Sequence, residues 1–375
     1  MPEFSEIMIF PSRYVQGAGA INQIGDHVAL LLGNRVLVVG GKSGLSVTRE
    51  GRKNSFAEKG IFEVEELFNG ESTDAEVARL TAIAKEQTCN VICASGGGKA
   101  IDTVKMVASD LRVATVIIPT IASSDAPTSR LALVYNEDRT FDRFYFPARN
   151  PDLVLVDTEI IAKAPPRMLV AGLGDALATW FEADACNRSC ALNLSGGRQT
   201  ATALAAARLC FDLIMEYGLQ AKIACENRVV TPALEKVVEA NILLSGLGFE
   251  SGGLAAAHSM QDGFTVLEEI HDFYHGEKVA FLTLVQLVLE ERPKETLQQV
   301  YDFCHKVGLP ITLGDLNIDK DKVGAERLME AVRLSTLPGK IMHNHAFPIN
   351  DQMVFDAVIA ADALGRALKK GVPIV

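Results

Sequence analysis

The chain has 375 residues, of which 48% are apolar and 22% charged, and its formal net charge is −11. It is too long for one small core and too apolar for disorder, so two compact domains are expected. The acidic balance excludes a phosphate-neutralising nucleic-acid binder. No apolar run reaches bilayer length, and no basic stretch leads into an apolar core at the N-terminus, so a cytoplasmic protein with no membrane partner is expected.

In the first half, short β-branched apolar runs alternate with helical stretches. "RVLVVGG" (35–41) ends in glycine, and "FEVEELF" (62–68) follows after a helix. Thr73, with Glu76 three residues on, is the signature of a capping box. "NVICAS" (90–95), "ATVIIPT" (114–120), "LALVYN" (131–136) and "LVLVDT" (153–158) continue the series. Strands alternating with helices predict a Rossmann-like parallel sheet covered on both faces, which binds ligands at the carboxyl ends of its strands. After about residue 160 the β-runs stop. Apolar residues at three- and four-residue intervals predict helices over 166–187, 196–217, 231–247, 252–268, 275–291, 293–307, 322–335 and 351–369. The expected fold is therefore α/β plus all-α: a parallel-sheet, dinucleotide-binding domain over 1–162 and a helical, metal-binding domain over 163–375, with the site in the cleft between them. Seven scattered cysteines fit a reducing compartment. The pairs Cys89/Cys93 and Cys186/Cys190 lack a matching partner pair and read as buried thiols rather than metal ligands.

"VICASGGGKAIDTVKMVA" carries the strongest local signal. A buried strand runs into Gly96, Gly97 and Gly98, and a helix opens at Lys99. Glycines remove Cβ atoms, so a phosphate reaches free N–H groups and the positive end of the helix dipole, with Lys99 adding charge. "GAGAINQIG" (17–25) and "GGKSG" (40–44) depart from the G-x-G-x-x-G spacing. "PTIASSDAPTSR" (119–130) is a small-residue polar loop after another apolar strand. Its Thr120, Ser123 and Ser129 can donate to a cofactor, and Asp125 can accept from a substrate hydroxyl.

Asp175 lies in an apolar helical stretch, "GLGDALATWFEA". His258 is surrounded by glycine and alanine, and His275 opens the helix "HGEKVAFLTL". One carboxylate and two imidazoles from three helices would suit a catalytic Zn²⁺ with an open fourth position. By spacing alone, His271 competes with His275 and Asp262 with Asp175.

The segments "GGGKAIDT", "PTIASSDAPTS", "NPDLVLVDT", "LVAGLGDALATWFEA", "LLSGLGFESGGLAAAH" and "HGEKVAF" resemble, in order and over nearly the whole chain, those of the metal-dependent (iron-containing type) polyol dehydrogenases. Glycerol dehydrogenases belong to that family, and its fold is shared with dehydroquinate synthase. The resemblance implies metal ligands at Asp175, His258 and His275, zinc as the metal with Fe²⁺ the alternative, and His271 as a neighbour on the rim. It implies NAD contacts at Gly98, Lys99, Thr120, Ser123, Ser129, Leu131 and Tyr135, with Asp125 and His258 carrying the catalytic and substrate-binding roles. It further implies a homo-oligomer, often an octamer, that oxidises glycerol to dihydroxyacetone. The chain departs from the family at "VVGGKSG", where Gly41 stands in place of the usual acidic residue and Lys42 follows. A carboxylate there would repel a 2′-phosphate, and a glycine beside a lysine would not, so NADP enters beside NAD as a cofactor. The alternative function is an NADPH-linked reductase of 2-oxo acids or other small carbonyls on the same fold. A lyase like dehydroquinate synthase would need a basic pocket, and few lysines or arginines stand near the site segments.

Overall fold

The computed structural model describes residues 5–374 except 139, and the side chains of these except 320–322. The chain forms two compact units. Neither follows the single cut expected after residue 162. One unit comprises Phe10–Leu169 and Ile223–Gly246; the other comprises Val170–Lys222, Leu247–Val375 and the N-terminal stretch through Ile9.

The first unit carries a six-stranded parallel sheet. Its strands are β1 (Tyr14–Gly17), β2 (Arg35–Gly40), β3 (Phe62–Leu67), β4 (Val91–Gly96), β5 (Ala114–Pro119) and β8 (Leu153–Asp157), in the order β1-β8-β5-β4-β2-β3. Helices α1 (Ile24–Leu30), α2 (Lys42–Glu58), α3 (Asp74–Glu86) and α4 (Gly98–Leu111) connect the first five strands. The central strands are apolar on both faces because helices cover both. Val36, Val38, Val91, Cys93, Val116, Ile118, Leu153 and Leu155 join Ile24, Val28 and Phe56 in one core. Thr73 caps α3 by accepting from the Glu76 N–H, but the other half of the expected capping box is not formed, because the Glu76 carboxylate accepts instead from the Asn69 N–H and Nδ2.

"LALVYN" does not enter this sheet. Its strand β6 (Ala132–Tyr135) pairs antiparallel with β7 (Phe141–Tyr145) in a separate hairpin. The burial of β6 alternates residue by residue, and β7 is mostly exposed, so neither could sit inside a doubly covered sheet. The edge strand β1 is four half-buried residues, YVQG, which carry no periodic signal in the sequence. Helix α5 (Thr158–Lys163) follows β8.

The remaining elements are helical. They are α6 (Pro166–Ser189), α7 (Ala201–Glu226), α8 (Pro232–Glu239), a π-helical turn at Ala240–Leu244, α9 (Ser245–Gly252), α10 (Ala256–Phe264), α11 (His275–Leu289), α12 (Lys294–Val307), α13 (Lys320–Ser335) and α14 (Asp351–Lys369). The helix expected over 252–268 is shorter than its apolar pattern, because Gly252-Gly253 break the chain before α10 and the chain turns again after Phe264. In the second unit α10 packs on α11 and α13, and α11 on α14.

A candidate metal centre and a glycine-lined crevice

Three helices of the second unit meet at Asp175, His258 and His275. Asp175 lies midway along α6, His258 on the first turns of α10, and His275 is the first residue of α11. The crossing of α6 and α11 is closer than ordinary side chains allow. A Cβ at Gly276 would lie 1.8 Å from the Ala171 carbonyl oxygen, and one at Gly174 would lie 2.2 Å from the Gly276 carbonyl oxygen. Two glycines thus let backbone meet backbone beside Asp175 and His275. The start of α11 is held by Glu277, whose carboxylate accepts from the Tyr274 N–H at 2.8 Å.

The three side chains converge. His275 Nε2 lies 3.1 Å from Asp175 Oδ1, His258 Nε2 lies 3.6 Å from the same oxygen, and the two Nε2 atoms are 3.3 Å apart. Among the described residues, this is the group of His, Cys, Asp and Glu side chains whose ligand atoms could hold one ion. The three edges bracket the roughly 3.3 Å separation expected between ligand atoms at about 2.0 Å from a tetrahedral ion. The donor set of two nitrogens and one carboxylate oxygen therefore fits a divalent transition metal. His271 stays out: it is exposed, and its Nε2 pairs with the Thr265 carbonyl at 2.9 Å. Asp262 is also outside the group, 3.4 Å from Lys340 Nζ.

A fourth residue, Glu182, braces this group. It is fully buried and lies seven residues after Asp175 on α6, two turns along the same face. One oxygen accepts from the backbone N–H groups of Ala255 at 2.9 Å and His258 at 3.0 Å, and the other pairs with His258 Nδ1 at 2.5 Å. A carboxylate on Nδ1 fixes that nitrogen as the N–H donor and leaves Nε2 as the metal-binding lone pair. Burial opposes charge on His258, yet the Glu182 and Asp175 carboxylates hold its pKa well above the ordinary histidine value. Burial likewise opposes charge on Asp175, but His275 and His258 keep it well below the usual carboxylate range. The signal for Glu182 was present in "DALATWFEA": a second acid in register on an apolar helix.

The first unit has its own constellation. From β2 the chain runs outward to β3 on one side and continues through β4 to β5 on the other. The strand order therefore reverses between β2 and β4, where open α/β sheets bind nucleotides. The turns at that point are Gly40-Gly41 and Gly96-Gly97-Gly98. Gly97 precedes α4 without a side-chain cap, and a Cβ at Gly98 would meet nothing within 4 Å. Thr120 N–H donates to the Gly96 carbonyl at 3.1 Å, which ties the end of β5 to the glycine turn. Lys99 pairs with Glu71 at 2.5 Å and sits 5.3 Å from the Tyr135 ring centre. Ser123 and Asp125 are half-buried in the loop after β5. Ser129 is buried, its hydroxyl 3.4 Å from Lys105 Nζ, and that ammonium also donates to the carbonyls of Ala126 at 2.6 Å and Leu131 at 2.7 Å. At the other turn, α2 opens from Gly41 without a side-chain cap or an acidic residue, and a Cβ at Gly41 meets nothing within 4 Å.

Residues 11–158 match the family model described as iron-containing alcohol dehydrogenase. A glycerol dehydrogenase of Thermotoga maritima is 47% identical over 361 residues, covering 96% of this chain and 98% of that protein. A glycolaldehyde reductase of Halobacterium salinarum is 41% identical over 360 residues, covering 96% and 98%. The crystal structure of glycerol dehydrogenase from Schizosaccharomyces pombe superposes with a TM-score of 0.93 at 35% identity, covering 98% of this chain and 94% of that one. Identity of this extent, along the whole length and with the same fold, makes the chain a member of the iron-containing alcohol dehydrogenase family and an oxidoreductase.

Proposed function

We propose that this protein is a zinc-dependent polyol dehydrogenase that moves hydride between a secondary alcohol of a small polyol, glycerol first among them, and a nicotinamide dinucleotide. The observation that carries the metal assignment is the convergence of Asp175, His258 and His275, with edges of 3.1–3.6 Å. Three protein ligands leave a coordination position for substrate, as in catalytic zinc sites, and Fe²⁺ is the alternative for the same donors. Bound there, a divalent ion supplies Lewis acidity that eases loss of the alcohol proton, and the nicotinamide accepts hydride, giving a ketone.

The chain's own residues do the rest. Asp175 supplies the anionic ligand from a fully enclosed position, and Glu182 holds the His258 ring in the tautomer that faces the ion. Asp125 accepts a hydrogen bond from a substrate hydroxyl. Gly96, Gly97 and Gly98 would admit the cofactor's pyrophosphate to the start of α4. Lys99, Thr120, Ser123, Ser129, Leu131 and Tyr135 would hold the rest of the cofactor. Small-carbonyl reduction is the same chemistry run backwards, and the 41% identity to a glycolaldehyde reductase favours it as the second reading. With no carboxylate at Gly41 and Lys42 exposed beside it, NADP is accepted as well as NAD. Leu209 and Leu219, 47% and 41% exposed on α7, support a homo-oligomer, which sedimentation would size.

The deciding experiment is His258→Ala. Elemental analysis should show loss of the bound metal and kcat should fall by roughly a thousandfold, while thermal unfolding stays cooperative. Full turnover by wild-type protein in chelator, with no metal bound, would sink the assignment.

A further inference from the structure

The loop bearing Asp125 has no regular secondary structure, yet it is tied at three points to the π-helical turn Ala240–Leu244 and the residue after it. Asn241 Nδ2 donates to the Ala122 carbonyl at 3.1 Å and also to that of Leu169 at 3.1 Å. Thr128 Oγ1 donates to the Ile242 carbonyl at 2.8 Å. Ser245 Oγ donates to Asp125 Oδ2 at 2.8 Å. Asn241 and Ser245 are fully buried. The approach is as close as atoms permit: a Cβ at Gly246 would lie 1.8 Å from Thr128 Oγ1 and 3.2 Å from the Asp125 carbonyl oxygen. A π turn is a rare, widened helical turn, and such turns concentrate where a helix must aim side chains at a site.

These observations separate what the loop needs from what the carboxylate needs. Asn241 and Thr128 grip backbone and would hold the loop whatever residue stood at 125. Ser245 grips the Asp125 carboxylate itself. A buried hydroxyl donating to one oxygen of a carboxylate fixes the plane of that group. We propose that Ser245 is a positioning residue for polyol recognition, setting the Asp125 carboxylate at the angle from which it accepts the substrate hydroxyl. This rests on the reading of Asp125 as the hydroxyl acceptor.

The test uses the metal-loaded enzyme and whichever of glycerol, 1,2-propanediol and 2,3-butanediol it turns over best. Ser245→Ala should raise KM for that polyol roughly tenfold, the effect of one hydrogen bond to a charged group, with kcat and the cofactor KM within about twofold. Asp125→Asn should raise the same KM, and adding Ser245→Ala to it should cost nothing further. Rescue by Ser245→Thr, which keeps the hydroxyl, completes the pattern. If Ser245→Ala is too unstable to assay, Ser245→Cys keeps the volume with a weak donor and is read in the same way. An unchanged polyol KM in Ser245→Ala while Asp125→Asn raises it, or additive losses in the double variant, overturns the role of Ser245 alone. An unchanged polyol KM in Asp125→Asn overturns the hydroxyl-acceptor reading and this proposal together.

Discussion

Each unit has a turn gripped by a buried charged side chain, and the two gripping charges have opposite sign. In the helical unit the Glu182 carboxylate collects N–H donors from Ala255 and His258 and so fixes the entrance to α10. In the sheet unit the Lys105 ammonium collects the carbonyls of Ala126 and Leu131 and so fixes the loop after β5. The difference follows from what each turn must present. A metal ligand needs a lone pair aimed outward, so its turn is gripped by an acceptor that takes up the ring's own N–H. A loop that is to bind a cofactor, as proposed for the one after β5, needs its hydroxyls and N–H groups left available, and here a donor takes up carbonyls instead. Each charge is also balanced locally: His258 lies against Glu182, and Asp102 lies 3.7 Å from Lys105. Ionic groups this deep are costly unless paired and hydrogen-bonded.

The strongest way to break the parallel is through pH. Burial pushes the Asp102 carboxyl up to about 6, from an ordinary 3.8, against the pull of Lys105. A raised folded-state pKa means that the folded protein takes up this proton first as pH falls. Asp102 therefore costs stability above pH 6, and that cost is relieved as pH drops from 6 to about 4. Against Asp102→Asn, wild type should gain on the order of 3 kcal/mol over that window in denaturant unfolding. A difference that is flat across it would mean that the sheet-unit charge is not balanced as described.

In the helical unit the expected effects run through the metal. Glu182→Gln keeps the shape and removes the charge, and should weaken metal binding by between roughly tenfold and a hundredfold, read by competition with a chromogenic chelator. Gly276→Ala places a methyl where the Ala171 carbonyl stands, and should lower stability by about 2 kcal/mol while metal affinity falls with it. Loss of stability with metal affinity intact would separate the helix crossing from the site. The smallest effect belongs to the open turn before α2. Gly41→Asp should shift the ratio of kcat/KM for NAD over NADP about tenfold toward NAD, with stability unchanged because nothing crowds that position.

Much of this architecture was legible in the residues because burial writes itself into composition. The strands at 35–40, 91–96 and 114–119 are covered on both faces and so read as unbroken β-branched runs. Helices α6, α12 and α14 begin and end close to where their periodicity does. What was not legible depends on partners. "LALVYN" has the composition of a core strand, and only its pairing with Phe141–Tyr145 reveals a half-exposed hairpin. Residues Ile223–Gly246 have ordinary helical periodicity, which says that one face is buried but not in which unit. Spacing made His271 as good a ligand as His275; the difference is that His275 opens a helix pinned by Gly276 against α6, whereas His271 turns to a nearby carbonyl. Glu182 and Ser245 are not legible as site residues because each bonds to another side chain, His258 and Asp125, that lies far away in the sequence.

The burial of the three convergent groups is graded: the Asp175 side chain is 1% exposed, that of His258 14% and that of His275 40%. The cage is thus sealed at its floor and open at one shoulder. An ion held by these three residues, as proposed, would part from the exposed His275 first, while the aspartate and the carboxylate-braced imidazole would still hold it. Stripping should therefore be stepwise, with a two-ligand stage from which reloading is quick, and bulky chelators should act more slowly than small ones of equal strength.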